Sequence, residues 1–139
     1  MDSDPQYVHL LPGAFPSQME CRPTRALLVL DCLVDPDWQN LVSRWLLDLG
    51  CLYMLAWGAG CSSWDDSVDF ANLEAFDYGD IPDGSFVMTT WHEGDSLGEF
   101  LEFAKHSAAH PVVPLERTLI LHIGSAACES QLVAAYAEA

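Results

Sequence analysis

Apolar and polar positions along this chain alternate between two regimes. ALLVLDCL (26–33) is a short, nearly unbroken apolar run, the pattern of a strand covered on both faces. In the following DPDWQNLVSRWLLDLG, residues Trp38, Leu41, Val42, Trp45, Leu46 and Leu49 recur three and four apart, which predicts an amphipathic helix. Asp35 or Asp37 supplies its N-cap and Gly50 its stop. The alternation then repeats. CLYMLAW (51–57) predicts a strand, and SWDDSVDFANLEAF (63–76) a helix with Val68, Leu73 and Phe76 turned to a core. After the turn-rich DYGDIPDG come a strand in SFVMTTW (85–91) and a helix in SLGEFLEFAKHSA (96–108), closed by Pro111 and Pro114. RTLILHI (117–123) predicts a fourth strand and SAACESQLVAAYAEA a final helix.

Strands joined by helix-length crossovers call for a parallel sheet with helices on both faces. The expected fold is a three-layer α/β sandwich of about four parallel strands, Rossmann-like or flavodoxin-like. Numbering these strands along the chain, the order 2-1-3-4 is expected, which puts the first near the middle. Residues 1–24 show no clear period and carry Pro5, Pro12, Pro16 and Pro23, so they read as an irregular N-terminal arm before a single domain over 25–139. In such sheets ligands collect outside the carboxyl ends of the strands, where the strand order reverses. Residues 31–37, 57–66, 91–95 and 124–125 fall there.

Charge narrows the partners. Twenty-one Asp and Glu against five Lys and Arg give a formal net charge of -16, which repels nucleic acid and anionic lipid and attracts basic partners. The five cysteines, Cys21, Cys32, Cys51, Cys61 and Cys128, are odd in number and form no C-x-x-C pair, so a reducing, cytoplasmic setting is expected. The start of the chain lacks the basic and apolar regions of a secretion signal, and no apolar run approaches the roughly 20 residues of a membrane span.

WGAGCSSWDDSVD (57–69) concentrates the candidate chemistry. Gly58 and Gly60 suggest a phosphate cradle, but the third glycine of G-x-G-x-x-G is Ser63 and no P-loop lysine follows. Asp65 and Asp66 are expected in the first helical turn, where they would repel a phosphate; Ser62 or Ser63 as N-cap gives the ordinary helix-start reading. Cys61 beside a helix N-terminus, with His92 as base, is the candidate catalytic pair. Against it stand the neighbouring aspartates and Ser67 in place of a phosphatase arginine. Asp31, Asp65 and Asp69 are candidate oxygen ligands for Mg²⁺, set against the commoner fate of a solvated acidic face. His106 and His110 stand four apart at a helix end, where they suit the dipole better than a metal. No cofactor is expected. Trp57, Trp64 and Trp91, flanked by Asp65, Asp66, Glu93 and Asp95, compose an acidic, aromatic rim suited to anchoring Lys or Arg of a protein partner.

The stretches DWQNLVS, GCLYMLAWGAGCSSWDDSVDFAN, SFVMTTWH and ERTLILHIG resemble a family of small bacterial proteins with a Rossmann-like domain of unknown function, over roughly residues 25–124. The resemblance implies a bacterial origin and brings no activity. The leading expectation is an acidic protein-binding domain without catalysis of its own, in the manner of an immunity or antitoxin-type inhibitor or a regulatory subunit, with a basic protein as partner and a homodimer as a further option. The alternative is a small enzyme or ligand sensor, Mg-dependent or Cys/His-based, at the carboxyl edge of the sheet.

Overall fold

The computed structural model describes residues 4–139. Five strands, β1 (Gln6–Leu10), β2 (Thr24–Leu30), β3 (Cys51–Gly58), β4 (Met88–Trp91) and β5 (Arg117–Ile123), form one sheet in the order β1-β5-β2-β3-β4, every neighbouring pair parallel. Four helices, α1 (Pro36–Asp48), α2 (Cys61–Ala75), α3 (Leu97–His106) and α4 (Glu129–Glu138), complete the expected three-layer α/β arrangement. Alternate residues of the central strands feed two cores. Ala26, Leu28, Leu30, Leu119 and Leu121 pack on one face with Val42, Leu46, Trp64 and Val68 of α1 and α2. Leu27, Val29, Leu55 and Ile120 pack on the other with Phe100, Leu101, Leu132 and Tyr136 of α3 and α4.

Two expectations about topology are corrected. The N-terminal arm is not wholly irregular: Gln6–Leu10 pairs with β5 from Gln6↔Leu119 to Leu10↔Ile123. Pro5 and Pro12 bracket this strand without entering it, and prolines that forbid a helix leave a five-residue edge strand untouched. The rest of the arm is tied to α1, because Trp38 Nε1 donates to Ala14 O (2.8 Å) and Trp45 Nε1 to Ser17 O (3.0 Å). Residues 1–3 of the expected arm lie outside the described residues. The strand order also differs. The first predicted strand is indeed central, but the strand over 117–123 lies beside it on the β1 side, while β4 forms the far edge. Each crossover is long enough for either placement, so pattern alone leaves the order open.

Local corrections follow from hydrogen bonding. Asp35 is the N-cap of α1, accepting from the backbone N–H of Asp37 and Trp38. Ser96 and Glu99 close a reciprocal capping box on α3. The strand expected from residue 85 begins only at Met88. Before it, Asn72 of α2 clamps the backbone, its Nδ2 donating to Ser85 O and its Oδ1 accepting from Val87 N–H. On α2, Val68 is buried as expected, but Leu73 is 41 % exposed.

Candidate functional site

The carboxyl ends of the strands divide into two regions, one around β3 and β4 and one around β1, β5 and β2. In the first, Gly58 and Gly60 serve backbone geometry. Gly58 has φ +109°, and a Cβ there would overlap the Leu30 carbonyl; Gly60 has φ +69° and is the N-cap of α2, so neither Ser62 nor Ser63 caps it. The β3–α2 turn is thus pressed onto the end of β2, with Ala59 N–H donating to Leu30 O at 3.0 Å. Because α2 starts at Cys61, no acidic residue lies in its first turn, and Asp65 and Asp66 fall beyond it rather than in it.

The expected tryptophan rim is only partly assembled. Trp64 is 1 % exposed and packs edge-on to Trp38 with ring centroids 6.4 Å apart, so it is a core residue and not an anchor. Asp65 is buried as well, at 6 % exposure, and its Oδ1 has no hydrogen-bond partner. Trp57 is partly buried, stacked on Phe100, and its Nε1 donates to Asp95 O at 2.7 Å. Trp91, at 51 % exposure, is open to solvent, as are Glu93 and Asp66.

Cys61 and His92 do not meet. Cys61 is buried in the core under α1 and α2, whereas His92 lies against Phe100 and Phe103 of α3 on the opposite face. His92 is held on both ring nitrogens, Nε2 at 2.9 Å from Thr90 Oγ1 and Nδ1 at 3.1 Å from Asp95 Oδ2. The candidate Mg²⁺ ligands are likewise divided. Asp69 accepts from Thr89 Oγ1 at 2.7 Å and adjoins Asp65 along α2, while Asp31 bonds His122. Among the described residues no group of three His, Cys, Asp or Glu is placed to hold a metal ion. Burial raises the Asp65 carboxyl above the usual range, opposed by the Thr89 hydroxyl and aided by the Asp69 and Asp66 charges; Asp69 is raised in the same way. His106 ends α3, whereas His110, expected with it at the helix end, lies beyond the helix, its Nε2 2.7 Å from Phe86 O and its Nδ1 accepting from Val112 and Val113 N–H.

The second region joins Asp31 to residues for which the sequence suggested no site role. His122 of β5 is buried at 1 % exposure, and its Nε2 lies 2.7 Å from Asp31 Oδ2 at the end of β2. An ionised carboxylate only accepts, so Nε2 carries the proton and Nδ1 is free to accept. Tyr7 Oη of β1 donates to that Nδ1 at 2.7 Å and accepts from Cys128 N–H at 3.0 Å. Cys128 Sγ lies 3.7 Å from the same Nδ1, within hydrogen-bonding range for sulfur. His9, the register partner of His122, bonds Gly124 O at 2.8 Å. Gly124 leaves room here, because a Cβ would overlap the Asp31 carboxylate and force it to shift. Burial raises the Tyr7 phenol, and burial together with the Asp31 charge raises the Cys128 thiol. Two signals in the sequence point to this cluster: a single imidazole inside the apolar run RTLILHI needs buried partners, and Asp31 ends a neighbouring strand.

No helix among the described residues is long and apolar enough to cross a membrane. No curated protein and no solved structure matches the chain. A family model covering residues 5–139 does match, and with nearly the whole α/β unit inside it the chain belongs to the family described as Domain of unknown function (DUF7684).

Proposed function

We propose that the protein is an acidic binding domain that captures a basic segment of a partner protein along the open edge of β4, as an immunity-type inhibitor or a regulatory subunit does. The observation that carries this reading is a charge asymmetry. Between Arg44 and Lys105 the chain has no Lys or Arg, and this stretch builds β3, α2, β4 and nearly all of α3. β4 is the outermost strand, so one side of its backbone is free to pair with an added strand. Beside it runs a groove of about 390 Å³ lined by Asp69, Leu73, Ile81, Phe86, Met88 and Thr89, among others, with no basic side chain. Exposed Phe70, Tyr78, Phe86 and Trp91 offer aromatic faces to cationic side chains, and Asp66, Glu93 and Asp83 supply charge. A second copy of the chain brings the same net charge of -16, so a basic segment matches the edge better than a homodimer does.

The test uses a synthetic peptide of alternating Lys and Val, its N-methylated counterpart, and titration calorimetry at low salt. The unmethylated peptide is expected to bind more tightly, since it alone completes the β4 ladder. Asp66→Lys and Glu93→Lys should each weaken it about fivefold, the equivalent of roughly 1 kcal/mol. Glu138→Lys, at the far end of α4, should have less effect. Equal binding of both peptides, or equal loss in all three variants, would leave only diffuse attraction and remove the β4 edge as the site.

A further inference from the structure

The cluster between β2 and β5 is unused by the binding edge and lies where this fold concentrates chemistry. β2 leads through α1 on one face of the sheet to β3, while β5 leads into α4 on the other face. The crevice between them is therefore the point where the winding of the sheet reverses, and ligands of open α/β sheets enter there, outside the carboxyl ends. Asp31 closes β2 at this crevice, His122 is the penultimate residue of β5, and Cys128 immediately precedes α4.

We propose that Cys128, His122 and Asp31 form a thiol acyl-transfer site for uncharged or cationic esters and thioesters. The three side chains stand in the order nucleophile, base, orienter, with Sγ 3.7 Å from Nδ1 and Nε2 2.7 Å from the carboxylate. Asp31 fixes the tautomer that leaves Nδ1 able to accept, and Gly124 gives the carboxylate room. α4 begins beside the sulfur, so its N-terminal N–H groups and dipole favour negative charge there. A depression of about 650 Å³, lined by Ala127, Cys128, Glu129, Ser130 and Val133 among others, opens onto the thiol. Glu129 lines the depression and the Asp31 charge is felt at the thiol, so both carboxylates repel anionic substrates, which sets the charge of the acyl compound.

At rest Cys128 is a thiol, since burial and the Asp31 charge hold it above its ordinary value. On encounter the Sγ proton moves to Nδ1, the sulfur electron pair bonds to the carbonyl carbon, and the bond to the leaving alkoxide or thiolate breaks with its electron pair. The leaving group takes the proton from Nδ1 and departs as alcohol or thiol. Water then attacks the Cys128 thioester, giving one proton to Nδ1, and the carboxylic acid leaves as that proton returns to sulfur. Tyr7 Oη donates to Nδ1 at rest, so it competes with the thiol for the base and must turn to accept when Nδ1 gains its proton. Tyr7 is thus a brake on the pair.

The test uses the full chain carrying Cys21→Ser and Cys32→Ser, which leaves Cys128 as the accessible thiol beside the buried Cys51 and Cys61. p-Nitrophenyl acetate is the probe, followed by nitrophenol release and by mass mapping of the acetylated residue. Acetylation is expected on Cys128, about 100-fold slower in His122→Gln, the usual worth of a general base, and faster in Tyr7→Phe. A merely structural cluster predicts the same direction for both variants, since each would loosen it alike. Should His122→Gln fail to fold, Asp31→Asn at the half-exposed partner replaces it and should slow the reaction at least tenfold. Acetylation of Cys128 no faster than of Cys21 in the unmodified chain, or unchanged by a folded His122→Gln or Asp31→Asn, would overturn the site.

Discussion

Asp65 Oδ1 is the one buried side-chain nitrogen or oxygen among the described residues that lacks a hydrogen-bond partner. Burial raises the carboxyls of Asp65 and neighbouring Asp69, so the folded protein holds their protons to higher pH than the unfolded chain does. Their contribution to stability is fully present below the ordinary carboxylate value of 3.8 and is lost as pH rises through the raised values. An amide is neutral at every pH and keeps the shape. Asp65→Asn should therefore melt roughly 4 °C higher than the wild type at pH 7, the counterpart of about 1 kcal/mol, with the gap closing as pH falls toward the ordinary value. Thermal melts followed by circular dichroism check this, and a lower melting temperature at pH 7 would mean that the ionised carboxylate is itself stabilising. The same residue shows why part of the expected rim lies inside the protein. Periodicity tells which residues of α2 share a face, but the face that Trp64 and Asp65 share points inward, and only contact with α1 and β4 determines that. Cys61 and His92 were linked by their places near strand ends. A strand end has two faces, and these residues take opposite ones.

Gly58 ties a short motif to the packing of whole elements. In the sequence it reads as half a phosphate cradle; in the fold its φ of +109° and its closeness to the Leu30 carbonyl allow β3 to turn into α2 against the end of β2. Gly58→Ala combines a left-handed backbone penalty with a backbone overlap and should cost about 2–4 kcal/mol in urea denaturation. Gly13→Ala, at φ +86° with nothing near its added Cβ, carries the backbone penalty alone and should cost about 1 kcal/mol. Equal losses would show that β2 yields to the methyl group. Elements with strong patterns were legible: the runs over 26–33, 51–57 and 117–123 and the stripe from Trp38 to Leu49 match β2, β3, β5 and α1 to within a few residues. β1 was hidden because five residues between prolines give too short a period to detect. The start of β4 was hidden because a side chain of α2, Asn72, replaces the ladder there. The β2–β5 cluster draws on four separate elements, and His122 looks like one more residue of a buried strand until its partners from β1, β2 and α4 are in place.

Across the molecule, a net charge of -16 acts on folding and on binding with opposite sign. Much of the scarce positive charge is tied to the frame at the amino ends of the strands and the carboxyl ends of the helices. Arg25 bonds Ala108 O, Arg117 bonds Leu49 O, and Lys105 bonds the carbonyls at the end of α4. Those links are short and partly buried, so salt screens them little, whereas repulsion among exposed carboxylates along the β4 side is long-ranged and screened within about 10 Å at 0.1 M. Raising NaCl from about 0.02 to 0.5 M, a range that takes the screening length from well above to below the spacing of surface charges, should therefore raise the melting temperature by several degrees. The same change should weaken the Lys/Val peptide at the β4 edge by tenfold or more, because there the unscreened field attracts. A protein whose acidity served solubility alone would show the first effect, while its residual peptide affinity at high salt would not distinguish the plain peptide from the N-methylated one. If the edge is a built site, the plain peptide keeps its advantage at 0.5 M NaCl, since the β4 ladder and the apolar groove persist when charge is screened. Scanning calorimetry and titration calorimetry on one preparation separate the two cases, and loss of that advantage at high salt would reduce the proposed site to net charge.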